Sequence, residues 1–501
     1  MNESVGALAS GLSADVARLV FGDCANSAID DELPYMIQVD RAHLVMLEEA
    51  GIIPASAAAA LLEEIDELVR KQFAPLRGQM APRGLYLLYE SYLIEKLGEN
   101  VGGLLQVARS RNDLSATCLK LRFRPILAEL ILEILKLQAA LLGNASRYQG
   151  VVMPVYTHGQ VAQPGTYGHY LAGIARCLER DLQALTDCLG ADLGECPLGA
   201  GAATGTSFPI RAERTAQLLG FRQPARHSLD AVASRDFVLR ALAGATVLGV
   251  TLSRLSADLR TWLTAEFGFL WLPDCLLGSS SMMPQKRNPF LLEHIEGMST
   301  SPLGAFVAAT TSCHAKPFTN CISVGTEAIS GLWEALRRIT TATVLARKLA
   351  AAARPNNQRM LLRTQEGVAS ATEAANVLVR IGAASFRSAH RTVGRAVLRA
   401  LGSGSEQLQE RVLAELFPGQ SQVLASLEPA AVVRNAEYGG GPGPRGTSAG
   451  LAKTWQERKA TRQRLCADVR RWREGERMLE RASQALRIRA RGNSIRNTEQ
   501  V

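Results

Sequence analysis

What this 501-residue sequence lacks narrows it first. Its nine cysteines (Cys24, Cys118, Cys177, Cys188, Cys196, Cys275, Cys313, Cys321 and Cys466) are scattered, odd in number and without a C-x-x-C pair. That pattern argues against a disulfide frame or a zinc site, and for reduced thiols, most of them core fillers, in a cytoplasmic protein. No basic-then-apolar leader opens the chain, and its longest uncharged runs, such as residues 297–315, are full of Ser, Thr and Gly. Neither export nor membrane insertion is indicated. Strand signals are scarce, and the Gly-rich residues 199–207 lack the lysine and spacing of a phosphate-binding loop, so no nucleotide site is read there.

Charge is also scarce outside the tail. Of the formal +9, residues 451–501 carry an excess of eight (14 Lys and Arg against 6 Asp and Glu), leaving about one for the other 450. The body is nearly neutral. The tail reads as a solvated basic helix, and nucleic-acid binding would rest on it alone.

What is present is a hydrophobic content of 47% against 21% charged residues, ample for a large core and two to four domains. Helical spacing marks residues 37–50, 55–71 and 85–97 after an irregular start. A longer apolar repeat over 113–142 suggests a bundle element, and residues 154–164 interrupt it before helix resumes over 167–189. Further long helices are expected over 229–266, 290–311 and 325–353. A composition change at Arg354-Pro355-Asn356-Asn357 marks a boundary, followed by shorter helices over 367–381, 386–401 and 406–416. The last helix carries Trp455, Leu465, Val469, Trp472 and Leu479 on one side, with fraying expected from Arg487. The organisation expected is 1–113, a central 114–362, a small 363–453 and a basic extension, 454–501.

The segment around which the chain is organised runs from Gly278 to Pro289, Gly-Ser-Ser-Ser-Met-Met-Pro-Gln-Lys-Arg-Asn-Pro. It is too polar for a core and too rich in Gly and Pro for regular structure, which suits an ordered or closing loop. Three serines, Lys286 and Asn288 together can hold a carboxylate while one serine acts as base. A second polar cluster, Ala108-Arg109-Ser110-Arg111-Asn112-Asp113, places two arginines where a helix start or tight loop would need an anion to satisfy them. Ordinary capping by Ser110 or Asn112 is the plainer alternative.

With Tyr156-Thr157-His158, Gln163-Pro164, residues 197–210 and His227 through Phe237, these blocks resemble the fumarase/aspartase superfamily, and within it the argininosuccinate lyase family. The resemblance runs from about residue 37 to 440. It implies an all-α, three-domain fold whose long central helices form the core of a homotetramer, each active site being assembled from three subunits. It further implies a C–N lyase that splits an N-substituted aspartate into fumarate and an amine by reversible β-elimination, with no metal and no organic cofactor.

On that resemblance Ser280, six positions before Lys286, is the general base. Ser281 is its rival, because the family glycine falls on Ser279 while the glycine here is Gly278. Lys286 and Asn288 would stabilise the aci-carboxylate, and His158 would pair with Glu293. Ser110, Arg111, Asn112 and Thr157 would hold the two carboxylates. Arg235, Ser281 and Met283 are further contacts.

The amine half departs from the family. Phe290 stands where the family has Asp after Asn-Pro, and Asn320-Cys321-Ile322-Ser323-Val324-Gly325 replaces Tyr-Asn-Lys-Asp-Leu-Gln. The N-terminal Ser-x-x-x-Asp is met only by gapping, as Ser27 and Asp31. Burying arginine's charge without these partners costs several kcal/mol, on the order of that for any unpaired buried charge. The expected amine is therefore not arginine, with Phe290 and Asn320 lining its pocket. A genuine argininosuccinate lyase and a non-catalytic, crystallin-like descendant are the alternatives, and an adenylosuccinate-type lyase is disfavoured by the Arg-Ser-Arg-Asn-Asp block.

Overall fold

The structure is a computed structural model that describes residues 11–22, 26–81, 84–382, 384–402 and 407–498. Cys24 and Glu406 lie outside them. Helices dominate, and among the described residues they group around two large apolar cores and two small ones.

The first core is built mainly from residues 29–121, with further side chains from 196–221 and from Leu479 and Leu486. Helices α1 (Leu33–Glu49), α2 (Ala55–Arg70) and α3 (Leu85–Leu97) bury Leu44, Leu47, Leu61, Leu62, Ile65 and Leu93 completely. The expected irregular start is instead helical over Ala14–Phe21 and Asn26–Asp31. Within this core sits a buried ion pair, Arg109 with Asp40, and Arg109 also donates to the Tyr86 hydroxyl at 2.6 Å. The expectation that an anion satisfies both arginines of the second polar cluster therefore fails for Arg109, because Asp40 already supplies the charge.

The second core is the bundle. Helix α4 (Arg111–Arg147) buries Phe123, Leu127, Leu130, Ile131, Ile134, Leu137 and Leu141 at three-to-four spacing, against α5 (Tyr167–Asp187), α6 (Asp236–Leu263) and α9 (Leu332–Ala352). Helices α7 (Phe290–Ser299) and α8 (Ser301–Cys313) lie along α6. At Gly249 of α6 an added Cβ would sit 2.3 Å from the Ser299 carbonyl oxygen, so only glycine lets the two backbones cross there. Buried side chains latch the register. Asn144 donates to the Ala350 carbonyl at 2.8 Å, Gln138 to Ala175 at 3.1 Å and Ser256 to Leu292 at 2.8 Å. The helix expected over 229–266 breaks at Ser234-Arg235, and that over 290–311 breaks at Thr300 before Pro302.

Between α4 and α5, where only an interruption was expected, the chain forms an antiparallel hairpin of β1 (Val152–Thr157) and β2 (Gln160–Thr166). Helices α10 (Ala371–Arg380), α11 (Phe386–Gly402) and α12 (Leu408–Leu416) form the third core, around Ala374, Val393, Leu413 and Phe417.

The basic tail corrects an expectation. Helix α13 spans Pro444–Thr498, starting ten residues before the basic extension expected over 454–501. It buries Leu451 and Leu465 in the bundle core and Leu479 and Leu486 in the first core. Instead of fraying from Arg487, it pairs Arg487 with Asp66 and Arg489 with Glu48. These pairs take up part of its charge within the chain. The described cysteines are all free thiols; of these only Cys118, Cys188 and Cys196 are buried, so fewer than expected are core fillers.

Candidate functional site

Helix α4 begins with a capping box that shapes one corner of the candidate site. The Ser110 hydroxyl accepts the Asn112 N–H at 3.2 Å, and the Asp113 carboxylate accepts the Ser110 N–H at 3.0 Å. Ser110 is thus the helix cap. Asp113 is buried, and its second oxygen accepts the N–H groups of Gly199 (3.0 Å) and Gly201 (2.9 Å). Burial pushes its pKa up against the pull of these donors. The Gly-rich turn is therefore a docking piece clamped to the start of α4. At Gly201, φ is +61° and a Cβ would lie 2.6 Å from the Gly205 carbonyl oxygen, so the turn tolerates no side chain.

Asn112 completes the corner. Its amide donates to the Ala202 carbonyl at 3.1 Å, and its side-chain oxygen accepts from Asn320 at 2.8 Å. The structure thus brings Ser110, Arg111 and Asn112 together with Asn320, far apart in sequence. Arg111 is exposed and Asn112 partly buried. Asp113 was not assigned a site role from sequence, although the Ser-x-x-Asp spacing of a capping box was readable there.

Thr157 and His158 sit at the tip of the β1–β2 hairpin, both exposed. His158 has φ +53° and Gly159 φ +72°, the paired positive values of a two-residue primed turn, with Thr157 opposite Gln160. A non-glycine residue held left-handed costs on the order of 1–3 kcal/mol and is concentrated at functional sites.

The serine loop is closed at its root and open elsewhere. Gly278 and Asn288 exchange both backbone hydrogen bonds, at 2.9 and 2.8 Å. Phe290 packs beneath this root: a Cβ on Gly278 would lie 2.9 Å from its ring, and the ring meets His294 edge to face at 5.7 Å. Of the three serines, Ser280 has a hydroxyl that accepts backbone N–H groups, from Met283 at 3.1 Å and Met282 at 3.4 Å. Ser281, Lys286 and Glu293 are exposed, Met283 and Asn288 half-buried. The Asn288 amide reaches the Ser279 carbonyl at 3.4 Å. Arg287 is tied to Asp274 at 2.6 Å, which leaves Lys286 as the loop's outward cation.

Three of these groups are not joined within one chain. Among the described residues no hydrogen bond or ion pair links His158 to Glu293, or either of them to Ser280. Arg235 is buried, and it donates to the carbonyls of Val232 (3.2 Å) and Ser234 (2.7 Å), while burial pulls its pKa down. It thereby braces the break before α6. No group of His, Cys, Asp or Glu among the described residues is placed to hold a metal ion.

Comparison with known proteins supplies the family. The Lyase family profile matches residues 35–304, and a profile for the argininosuccinate lyase C-terminal region matches residues 368–434. The argininosuccinate lyase of Methanoculleus marisnigri is 36% identical over 425 residues, covering 83% of this chain and 85% of that protein. That of Halorhodospira halophila is 37% identical over 382 residues, covering 76% and 81%. Among solved structures, EDDS lyase in complex with formate superposes with a TM-score of 0.83 at 27% identity over 96% of this chain and 97% of the other. An EDDS lyase variant with an aspartate and a tyrosine replaced by methionine, with bound fumarate, gives 0.84 at the same identity and coverage. A class II fumarase from Schistosoma mansoni, 15% identical, shares the fold at 0.67 over 83% of this chain and 94% of its own. Two family profiles and relatives above 30% identity along most of the length leave one conclusion: the chain belongs to the argininosuccinate lyase family, with the all-α fold of the fumarase/aspartase superfamily, and is a carbon–nitrogen lyase.

Proposed function

We propose that this fumarate-forming carbon–nitrogen lyase acts on an N-substituted aspartate whose amine is not arginine, with Ser280 as the general base. The observation that carries the assignment of the base is the pair of N–H groups, from Met282 and Met283, aimed at the Ser280 hydroxyl oxygen. Donors at that oxygen favour its alkoxide, the form able to take a weakly acidic proton.

The chemistry follows from charge. Ser280 removes a proton from the carbon next to a carboxylate, and the C–H electron pair moves into that carboxylate as an aci-carboxylate. Its collapse forms the carbon–carbon double bond and expels the amine, which takes up a proton. Lys286 and the Asn288 amide lie on the same loop to meet the doubled negative charge, and Ser110, Arg111, Asn112 and Thr157 hold the carboxylates. His158, paired with Glu293 of another subunit, supplies the proton to the leaving amine. Met283 and Ser281 border the base.

A shared site accounts for the lack of any hydrogen bond or ion pair among His158, Glu293 and Ser280 within one chain. Association is supported by Val247 and Val250 on α6 and Leu303 and Val307 on α8, each at least half exposed on the long bundle helices. The reading is a homotetramer, in the cytoplasm.

The amine assignment rests on Phe290 and Asn320. Phe290 carries no charge, and the Asn320 amide donates to Asn112, leaving no charged partner at either position.

The test is ultraviolet detection of fumarate from argininosuccinate, then fumarate consumption with a panel of amines. Silence with argininosuccinate and turnover with another amine is the expected result. Rapid fumarate release from argininosuccinate would sink the amine assignment and favour the second reading, a genuine argininosuccinate lyase, which the 36–37% identical relatives named above support.

A further inference from the structure

Aromatic residues make up only 5% of this chain, yet they crowd one end of the bundle, below the hairpin that carries His158. There a cavity of about 370 Å³ opens between the hairpin and helices α5 and α6. That volume lies within the range of ligand pockets, roughly 300–1,000 Å³. Tyr156, Tyr170, Trp262 and Phe267 wall it, and Tyr170 meets Trp262 edge to face at 4.6 Å while Tyr156 tilts against Phe267 at 5.8 Å. In such pairs each ring keeps a π face that its partner does not cover, and a π face attracts cations.

The polar groups of the cavity agree in sign. Asp258 on α6 lies on its exposed edge, and one oxygen accepts the Tyr170 hydroxyl at 2.7 Å. Among the described residues no cation is ion-paired to Asp258. His169, the other titratable ring in the lining, is held toward its neutral form because burial lowers its pKa. Among the described residues, no Lys or Arg lines the cavity. Arg254, one turn earlier on α6, stands outside the lining, and Arg363, near Tyr156, is tied to Glu366 at 3.3 Å. The lining therefore offers one negative charge, four aromatic walls and no competing cation of its own.

We propose that this cavity is a binding site for an organic ammonium ion, seated against the aromatic rings with its charge toward Asp258. It is separate from the candidate catalytic groups, since the side chains of Thr157, His158 and the serine loop are not part of its lining. Its occupant rests on Tyr156 and Gly159 of the hairpin, so binding braces the turn that presents His158. The proposal does not depend on the identity of the lyase substrate.

The test is isothermal titration calorimetry of the full chain with benzylammonium, with benzyl alcohol as the neutral probe of the same shape. Saturable binding of benzylammonium and at least tenfold weaker uptake of benzyl alcohol are expected. Asp258→Asn should weaken benzylammonium by about tenfold or more, the loss expected for one charge-assisted contact. Thr261→Trp, at an exposed position on the lining, should abolish binding by filling the space. Equal uptake of both probes, or unchanged affinity in both variants, overturns the proposal.

Discussion

Two parts of the candidate site, assigned to the same dicarboxylate, are built in opposite ways. The corner at the start of α4 is finished within one chain: Asp113 is buried and takes four backbone N–H groups, from Ser110, Leu114, Gly199 and Gly201, and Asn112 is bonded on both ends of its amide. The serine loop is fixed at its Gly278–Asn288 root and leaves Ser281 and Lys286 in solvent. On the proposed function the corner is a preorganised receptor, and the loop is a part awaiting a partner or a closure that expels water. One chain can afford rigidity on only one side, since substrate has to enter.

The sharpest way to break this comparison is to change each side in turn. Ser280→Ala should lower kcat by about 10³-fold or more while the folded assembly persists, because a general base alone contributes 10²–10⁴. Ser281→Ala should stay within a small factor of the parent. Steady-state fumarate assays with size-exclusion chromatography read both, and the reverse pattern would move the base by one position.

On the corner, the effect should fall on stability before catalysis. Asp113→Ala strands buried N–H donors and should cost about 3 kcal/mol in urea unfolding. A loss below about 0.5 kcal/mol would mean that the Gly-rich turn holds itself, and the corner would then be no more preorganised than the loop.

Per pH unit, the smallest effect concerns the ground beneath the corner. His43 is buried, its Nε2–H donating to the Val107 carbonyl at 2.8 Å, and burial with the nearby Arg109 charge pushes its pKa down to about 3. An unfolded histidine titrates near 6.5, so this group's contribution is complete above about pH 6.5 and is lost as pH falls toward 3. The expected slope is about 1.4 kcal/mol per pH unit inside that window, read as the difference between the parent and His43→Phe. Asp40, whose carboxyl is pushed up by burial, titrates with the opposite sign in both proteins and cancels in that difference. Parallel curves for the two proteins would show that His43 is not held neutral.

Much of the helical content was readable, because three-to-four apolar spacing reports burial directly: the helix expected over 85–97 is Leu85–Leu97, and that over 55–71 is Ala55–Arg70. The breaks were less so. Ser234-Arg235 interrupts an apolar pattern with no Pro or Gly to announce it, and the hairpin at 152–166 carries two prolines that argue against strand. The polar blocks of the site were legible as blocks, yet their internal division of labour was not. Nothing local says that Arg109 faces Asp40, 69 positions away, while Arg111, two residues later, stays exposed.

By itself, then, the sequence determined the family, the helical class and the residue types a dicarboxylate needs, since periodicity and motif spacing are local properties of the chain. Tertiary structure decided what each of those residues meets. It used Ser110 as a cap, bonded Asn112 to Asn320, buried Arg235 among carbonyls and folded the basic tail onto acidic partners. The physical reason is that a polar group's role depends on what meets it, and those partners come from distant parts of the chain.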